Sequence, residues 1–275
     1  MQPYEIMLPG VGNVRELGGI EINNKKVRKG VLLRSASLSG APADTIKLLS
    51  EKYHVYSVVD FRMRGERETF PDPEIPGAQN RYCSVMELED SPGFENLEPE
   101  QIGKMLTPGA DRTKLLLKMA ELGLFSDKLY IGFLSTEKGK AAYREFFKVL
   151  IELPNDKAVL WHCTDGKDRT GVAAMLILKA LGASNETVIE EYLRTNAQNE
   201  EKLKAIRAQL DKTDYTKEQK DIILFGAGQV ASEYMLNLLD WLDKTYGDIY
   251  GYLEKELSVD QKKIELLRNK FLEII

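Results

Sequence analysis

One cysteine and one arginine, separated by five residues, carry the clearest chemistry in this chain. Cys163 and Arg169 fall in the stretch W-H-C-T-D-G-K-D-R-T-G, residues 161–171. A guanidinium offers a planar fork of N–H donors that fits two phosphate oxygens, which a lysine ammonium does not. A loop of this length running into a helix N-terminus can turn the backbone N–H groups of Thr164, Asp165, Gly166 and Lys167 inward as an anion-binding nest. Gly166 permits the backbone angles and the close approach such a nest demands. The same positive field favours the Cys163 thiolate over the thiol. The chemistry implied is in-line attack of sulfur on phosphorus, giving a cysteinyl-phosphate that water then hydrolyses. Thr170 can hydrogen-bond the sulfur and make it a better leaving group in that second step. Neither a metal nor a cofactor is required.

The elements around the loop are legible as a strand before it and a helix after it. Ala158 to Trp161 is a short apolar run, and Val172 to Leu181, broken only by Lys179, is a helical run closed by Gly182. Val55 to Phe61 is apolar and β-branched and predicts a second strand. Its end carries Asp60 and Arg62, as the end of the first carries His162 and Cys163, and catalytic groups of α/β folds gather at the carboxyl ends of strands. Ile20 to Ile22 and Val27 to Leu33, around Asn23-Asn24-Lys25, predict a hairpin. Pro42 starts a helical pattern ending near His54, Gln79 to Val85 predicts a strand carrying Cys83, and 138–152 a helix. After Gly182 every pattern is helical. Asn185 is a candidate N-cap, Ser258 to Gln261 fits a capping box, and Met235, Leu238, Leu239 and Leu242, then Ile264, Leu267, Phe271 and Ile274, keep helical spacing. The fold class is therefore α/β.

Several of these stretches resemble the cysteine-dependent protein tyrosine phosphatases, whose signature is His-Cys-x5-Arg followed by Ser or Thr and Gly. The variant G-K-D-R-T-G is similar to one bacterial branch, the tyrosine/serine phosphatases with dual-specificity and phosphoinositide-active members. N-V-R-E-L-G-G at 13–19, Leu33-Arg34-Ser35, and V-V-D-F-R at 58–62 with Glu66 match the same branch. The resemblance covers about residues 10–182 and implies a phosphatase-like central sheet flanked by helices, with a helical extension over 183–275 in one domain. It implies that Cys163 is the nucleophile and that Arg169 and the loop amides bind phosphate, with His162 and Arg62 in support. Asn13 and Arg15 either brace the loop or form a surface turn. The general acid is Asp60 or Asp168, with Asp165 an outside choice. Desolvation at a strand end favours a protonated Asp60, whereas cationic neighbours favour an ionised Asp168. Asp165 stands where the family often has a small residue, and would repel polyanionic substrates that Lys167 would attract.

Composition bounds the rest. The chain has 275 residues, 43% hydrophobic and 29% charged, the make-up of an ordinary globular protein. A net charge of −5 argues against a nucleic-acid partner. Only two cysteines and two histidines occur, without the clustering of a zinc site. A reactive thiolate suits a reducing compartment, so the cytoplasm is expected, with export lacking an N-terminal signal left open. No membrane-spanning run is present. The lysines and arginine between Lys202 and Lys220 alternate with acids and read as a solvated face. Substrates are expected to be phosphorylated proteins, small molecules or lipid headgroups, and the oligomeric state is open. The alternative is a non-catalytic phosphoprotein-binding module, which would typically lack the cysteine or the arginine. Cys83 reads as a packed strand residue that could pair with Cys163 only if their Cα atoms lie within about 7 Å.

Overall fold

The computed structural model describes residues 6–87, 113, 117, 118, 120 and 127–275. By sequence, 86–109 is an acidic stretch that reads as a lid, a substrate wall or a plain connector, and 112–123 is helical in pattern; both lie almost wholly outside the described residues.

After a short strand β1 (Arg15–Glu16) comes a hairpin of β2 (Glu21–Ile22) and β3 (Lys25–Val27). Its turn residues Asn23 and Asn24 take φ of 47° and 50°, the left-handed geometry that a tight hairpin turn requires. The run from Val27 to Leu33 is not one hairpin strand. Gly30, at φ 74°, turns the chain, and β4 (Leu32–Ser35) joins a different sheet. Helix α1 (Ala43–Lys47) continues through a π-helical turn to Lys52 and leads to β5 (Val55–Asp60). Then follow α2 (Arg64–Thr69), β6 (Gln79–Tyr82), α3 (Asp127–Ser135), α4 (Glu137–Glu152), β7 (Ala158–His162) and α5 (Asp168–Leu181). Gly182 ends α5 at φ 101°, a left-handed cap.

Six helices complete the chain: α6 (Asn185–Gln198), α7 (Glu200–Leu210), α8 (Lys217–Gly226), α9 (Ser232–Tyr246), α10 (Ile249–Leu257) and α11 (Gln261–Phe271). Two cap assignments shift. Ser184, not Asn185, caps α6, accepting from the Thr187 amide. Asp260, not Ser258, caps α11, because Ser258 at φ 58° is spent ending α10. Ile274 also departs from the helical stripe. It lies in a final strand, β8 (Leu272–Ile274), and is 83% exposed.

The main sheet runs β1-β4-β7-β5-β6, with β1 antiparallel and the rest parallel. A second sheet, β2-β3-β8, joins the chain's last strand to its first hairpin. Side chains of the central strands alternate between two cores, as a pleated sheet covered on both faces must. Val159 and Trp161 of β7 pack with α4, α5 and the C-terminal helices. Ala158 and Leu160 pack with Leu33, Val58 and Leu49 on the other face. Trp161 is fully buried, and removing such a side chain costs ~3–5 kcal/mol. This clamp fixes the strand end from which the loop departs. No helix among the described residues is long and apolar enough to cross a membrane.

Candidate active site

The loop 163–167 leaves β7, the strand flanked by β4 and β5, and enters α5 at Asp168. Cys163 is buried, 2% exposed. What shapes the loop is the direction of its carbonyl groups. Cys163 O accepts from His162 Nδ1 at 3.2 Å. Thr164 O accepts from the Ser37 amide at 3.0 Å. Asp165 O accepts from Asn13 Nδ2 at 3.0 Å, and Gly166 O from Asn13 Nδ2 at 2.9 Å and Arg34 Nη2 at 2.7 Å. In a trans peptide the N–H points opposite to the carbonyl of the same unit. Holding these four oxygens outside therefore turns the amides of Thr164, Asp165, Gly166 and Lys167 to the inside. Those inward amides make an anion nest at a helix N-terminus. Gly166 has φ 66°, and a Cβ there would lie 2.4 Å from Ser35 O, so the nest depends on a glycine.

Arg169 faces Glu66 in a two-pronged ion pair, Nη1 to Oε2 at 2.7 Å and Nη2 to Oε1 at 3.1 Å. Weaker contacts run from Nη2 to Thr164 Oγ1 and from Nη1 to Phe61 O. Burial alone would push the Glu66 carboxyl up, but Arg169, the Thr164 hydroxyl and the Met63 amide together hold it down at about 2. Burial opposes the charge on Arg169, yet Glu66 and Cys163 raise its affinity for a proton overall. The fork is thus a permanent cation aimed by a permanent anion, with Tyr143 bonded to its backbone carbonyl.

Two buried polar clusters stand behind the loop. In the first, Arg62 donates to both oxygens of Asp60, to Ser37 Oγ and to Phe70 O, and its Nη2 lies 2.8 Å from Asp72 Oδ2. His162 Nε2 lies 3.0 Å from the same Asp72 oxygen. Burial would raise the Asp72 carboxyl, but His162 and Arg62 hold it below the usual range. Asp60, Asp72 and His162 have the spacing of metal ligands, but the Arg62 guanidinium bonds both carboxylates and already supplies the positive charge. In the second cluster Glu191 pairs with Arg15 and Arg34, both at 2.7 Å, and Arg15 Nη1 donates to Asn13 Oδ1 at 2.5 Å.

The residues singled out from sequence thus fall into distinct places. His162, Cys163 and Arg169 converge on the loop; Asn13 and Arg15 are buried behind it rather than in a surface turn. Arg62 reaches it through Ser37. Thr164 directs its hydroxyl to Glu66. The Lys167 side chain turns to Phe225 O at 2.7 Å and lies over the Phe225 ring, so its share in the nest is its amide. Thr170 Oγ1 is buried with no partner among the described residues, and the expected bond to sulfur is not made in this state. Asp60 is 1% exposed and bound at both oxygens. Asp168, in the first turn of α5, keeps a side chain 21% exposed, receives the Tyr130 hydroxyl and lies 3.5 Å from Lys167 Nζ. No motif in the sequence marks Asp72 or Glu191 as part of the site, and Glu66 enters only through the resemblance, without a role. Glu191 had a signal: it sits at helical spacing with Val188, Tyr192 and Thr195 on the buried stripe of α6, where a carboxylate must have partners.

A profile described as the tyrosine phosphatase family matches residues 6–273. A Cupriavidus necator protein, provisionally named a tyrosine-protein phosphatase, is 26% identical over 98% of this chain and 89% of its own length. The triple specificity protein phosphatase PtpB of Mycobacterium tuberculosis is 28% identical over 96% of this chain and 98% of its own. A tyrosine-protein phosphatase of Nostoc commune is 31% identical over 43% of this chain and 40% of its own. Both the match along nearly the whole length and the cysteine loop lead to one assignment: the chain belongs to the tyrosine phosphatase family and is a cysteine-dependent protein tyrosine phosphatase.

Proposed function

We propose that the protein hydrolyses phosphotyrosine through a Cys163 phosphoenzyme, and that the site extends to phosphoserine, phosphothreonine and phosphoinositide monoesters. The observation that carries the reading is the ring of outward carbonyls, which leaves four loop amides free beside the buried Cys163 thiol, with the Arg169 guanidinium held at the loop by Glu66. The Mycobacterium tuberculosis relative, named for triple specificity, supports the wider substrate range. Cys163 attacks phosphorus while the amides and Arg169 bind the equatorial oxygens, whose charge grows in the transition state. In hydrolysis of the phosphoenzyme, the unpartnered Thr170 hydroxyl turns to the departing sulfur.

Asp168 is the general acid in this reading. Desolvation favours Asp60 from sequence, but a donor must reach the leaving oxygen, and Asp60 has both oxygens locked on Arg62. Asp168 is partly exposed and adjoins Arg169. The test is Asp168→Asn against Asp60→Asn. Asp168→Asn is expected to slow alkyl phosphates far more than activated aryl phosphates and to remove the basic limb of the kcat–pH profile. If Asp60→Asn does this instead, the roles are reversed. An aryl phosphate assay with and without chelator tests the reaction class itself, and dependence on a metal would overturn it.

A further inference from the structure

We infer that Glu191, on a helix beyond the signature segment, is a positioning residue that holds the phosphate-binding loop in its anion-binding form. The inference rests on the Cys163–Arg169 reading above. Glu191 is 3% exposed and touches neither Cys163 nor Arg169. Its two oxygens are divided between two arginines: Oε1 takes Arg15 Nε and Oε2 takes Arg34 Nη1, each at 2.7 Å.

From each arginine a short path runs to the loop. Arg34 Nη2 donates directly to Gly166 O at 2.7 Å. Arg15 Nη1 donates to Asn13 Oδ1, which fixes the Asn13 amide so that Nδ2 faces Asp165 O and Gly166 O. Those two carbonyls, held outward, are what aim the Gly166 and Lys167 amides inward. One carboxylate thus governs half of the nest's four donors.

The charge is as important as the bonds. Arg15 and Arg34 are 2% and 0% exposed. Burial and the Arg34 charge pull Arg15 down to about 10 even with Glu191 present. Without the carboxylate two buried cations would face each other, and separating them would release Gly166 O, Asn13 or both. Thr195 Oγ1 and Glu191 O accept from Arg15 Nη2 at 3.2 and 3.3 Å, so α6 grips the arginine from several points.

Orthovanadate, which mimics the pentavalent transition state, is the probe, because an inhibition constant does not depend on how much of a sample is active. Glu191→Gln keeps the shape and removes the charge. It is expected to weaken vanadate inhibition at least tenfold and to lower kcat/KM in parallel, in protein that circular dichroism shows to be folded. A folded Glu191→Gln with the wild-type inhibition constant overturns the inference and leaves Glu191 a stabiliser of the fold. Should that variant not fold, Asn13→Ala decides: it leaves both Glu191 ion pairs in place and removes the bonds to Asp165 O and Gly166 O together with the Arg15 bond to Asn13 Oδ1 that aims them. A tenfold weaker inhibition supports the inference, and a wild-type constant overturns it. Failure of the underlying reading looks different, since wild-type protein would then escape vanadate, or Cys163→Ser would remain active.

Discussion

The ends of β6 and β7 flank the end of β5 symmetrically, Asp60 pairing with Tyr82 on one side and His162 on the other. Each flanking strand is followed at once by a cysteine, and both cysteines are buried and free. Their surroundings differ. Burial, reinforced by Glu145 and Asp60, pushes the Cys83 thiol up to about 12. Cys163 instead opens a loop of inward amides, beside an Arg169 guanidinium and ahead of a helix N-terminus. Both thiols are buried, so what sets them apart is the chain that follows each strand end. The two strands are also two spacings apart, roughly 9.6 Å at ~4.8 Å each, so a Cys83–Cys163 disulfide is out of reach.

The sharpest way to break this contrast is to exchange each sulfur for oxygen. Cys163→Ser is expected to abolish turnover of an aryl phosphate while retaining phosphate binding, and Cys83→Ser to keep kcat within a factor of about two. Iodoacetamide near neutral pH should label Cys163 alone, with mass spectrometry of the digested protein as the readout. Comparable labelling of Cys83 would show that the two environments are not as different as their partners imply.

A smaller effect is expected when the cation beside Cys163 loses its fork. Arg169→Lys retains the charge but not the paired donors, so kcat/KM should fall by ~10²–10³, the scale of losing one oxyanion donor. Wild-type kinetics would remove Arg169 from the nest.

The smallest effect concerns acid. Glu66 has its carboxyl lowered to about 2 by Arg169 despite burial. A carboxylate depressed in the folded state stabilises fully above its unfolded value, about 4.3, and loses that contribution as pH falls towards 2. The stability gap between wild type and Glu66→Gln, measured by urea unfolding, should be constant from pH 7 to about 5 and shrink below it. A gap that stays constant to pH 3 would show that the pair does not titrate as described.

How much was legible depended on whether the information was local. The loop, its strand and its helix follow from contiguous residues, because hydrophobic runs, Gly166 and Gly182 act within a few positions of themselves. Cap positions shifted at Asn185 and Ser258 because neighbouring polar residues compete for the same amides, and only the backbone angle chooses between them. The run from Val27 to Leu33 was divided between two sheets because Leu32 and Leu33 find β7, where their partners Val159 and Leu160 lie 127 residues further on.

The general acid shows the same division. Sequence placed Asp60 at the end of a buried strand, and that placement holds. It could not show that Arg62 closes on both of its oxygens, since rotamers and bidentate pairing are set by packing. Composition and spacing by themselves determined that this chain carries a thiol, a guanidinium and a phosphate-sized loop between a strand and a helix. Tertiary structure alone decided which distant groups hold that loop. Glu191 reaches Arg15 across 176 residues and Asn13 reaches Gly166 across 153, and such partners meet only because the folded sheet and helix bring them within hydrogen-bond range, where buried charge must be neutralised.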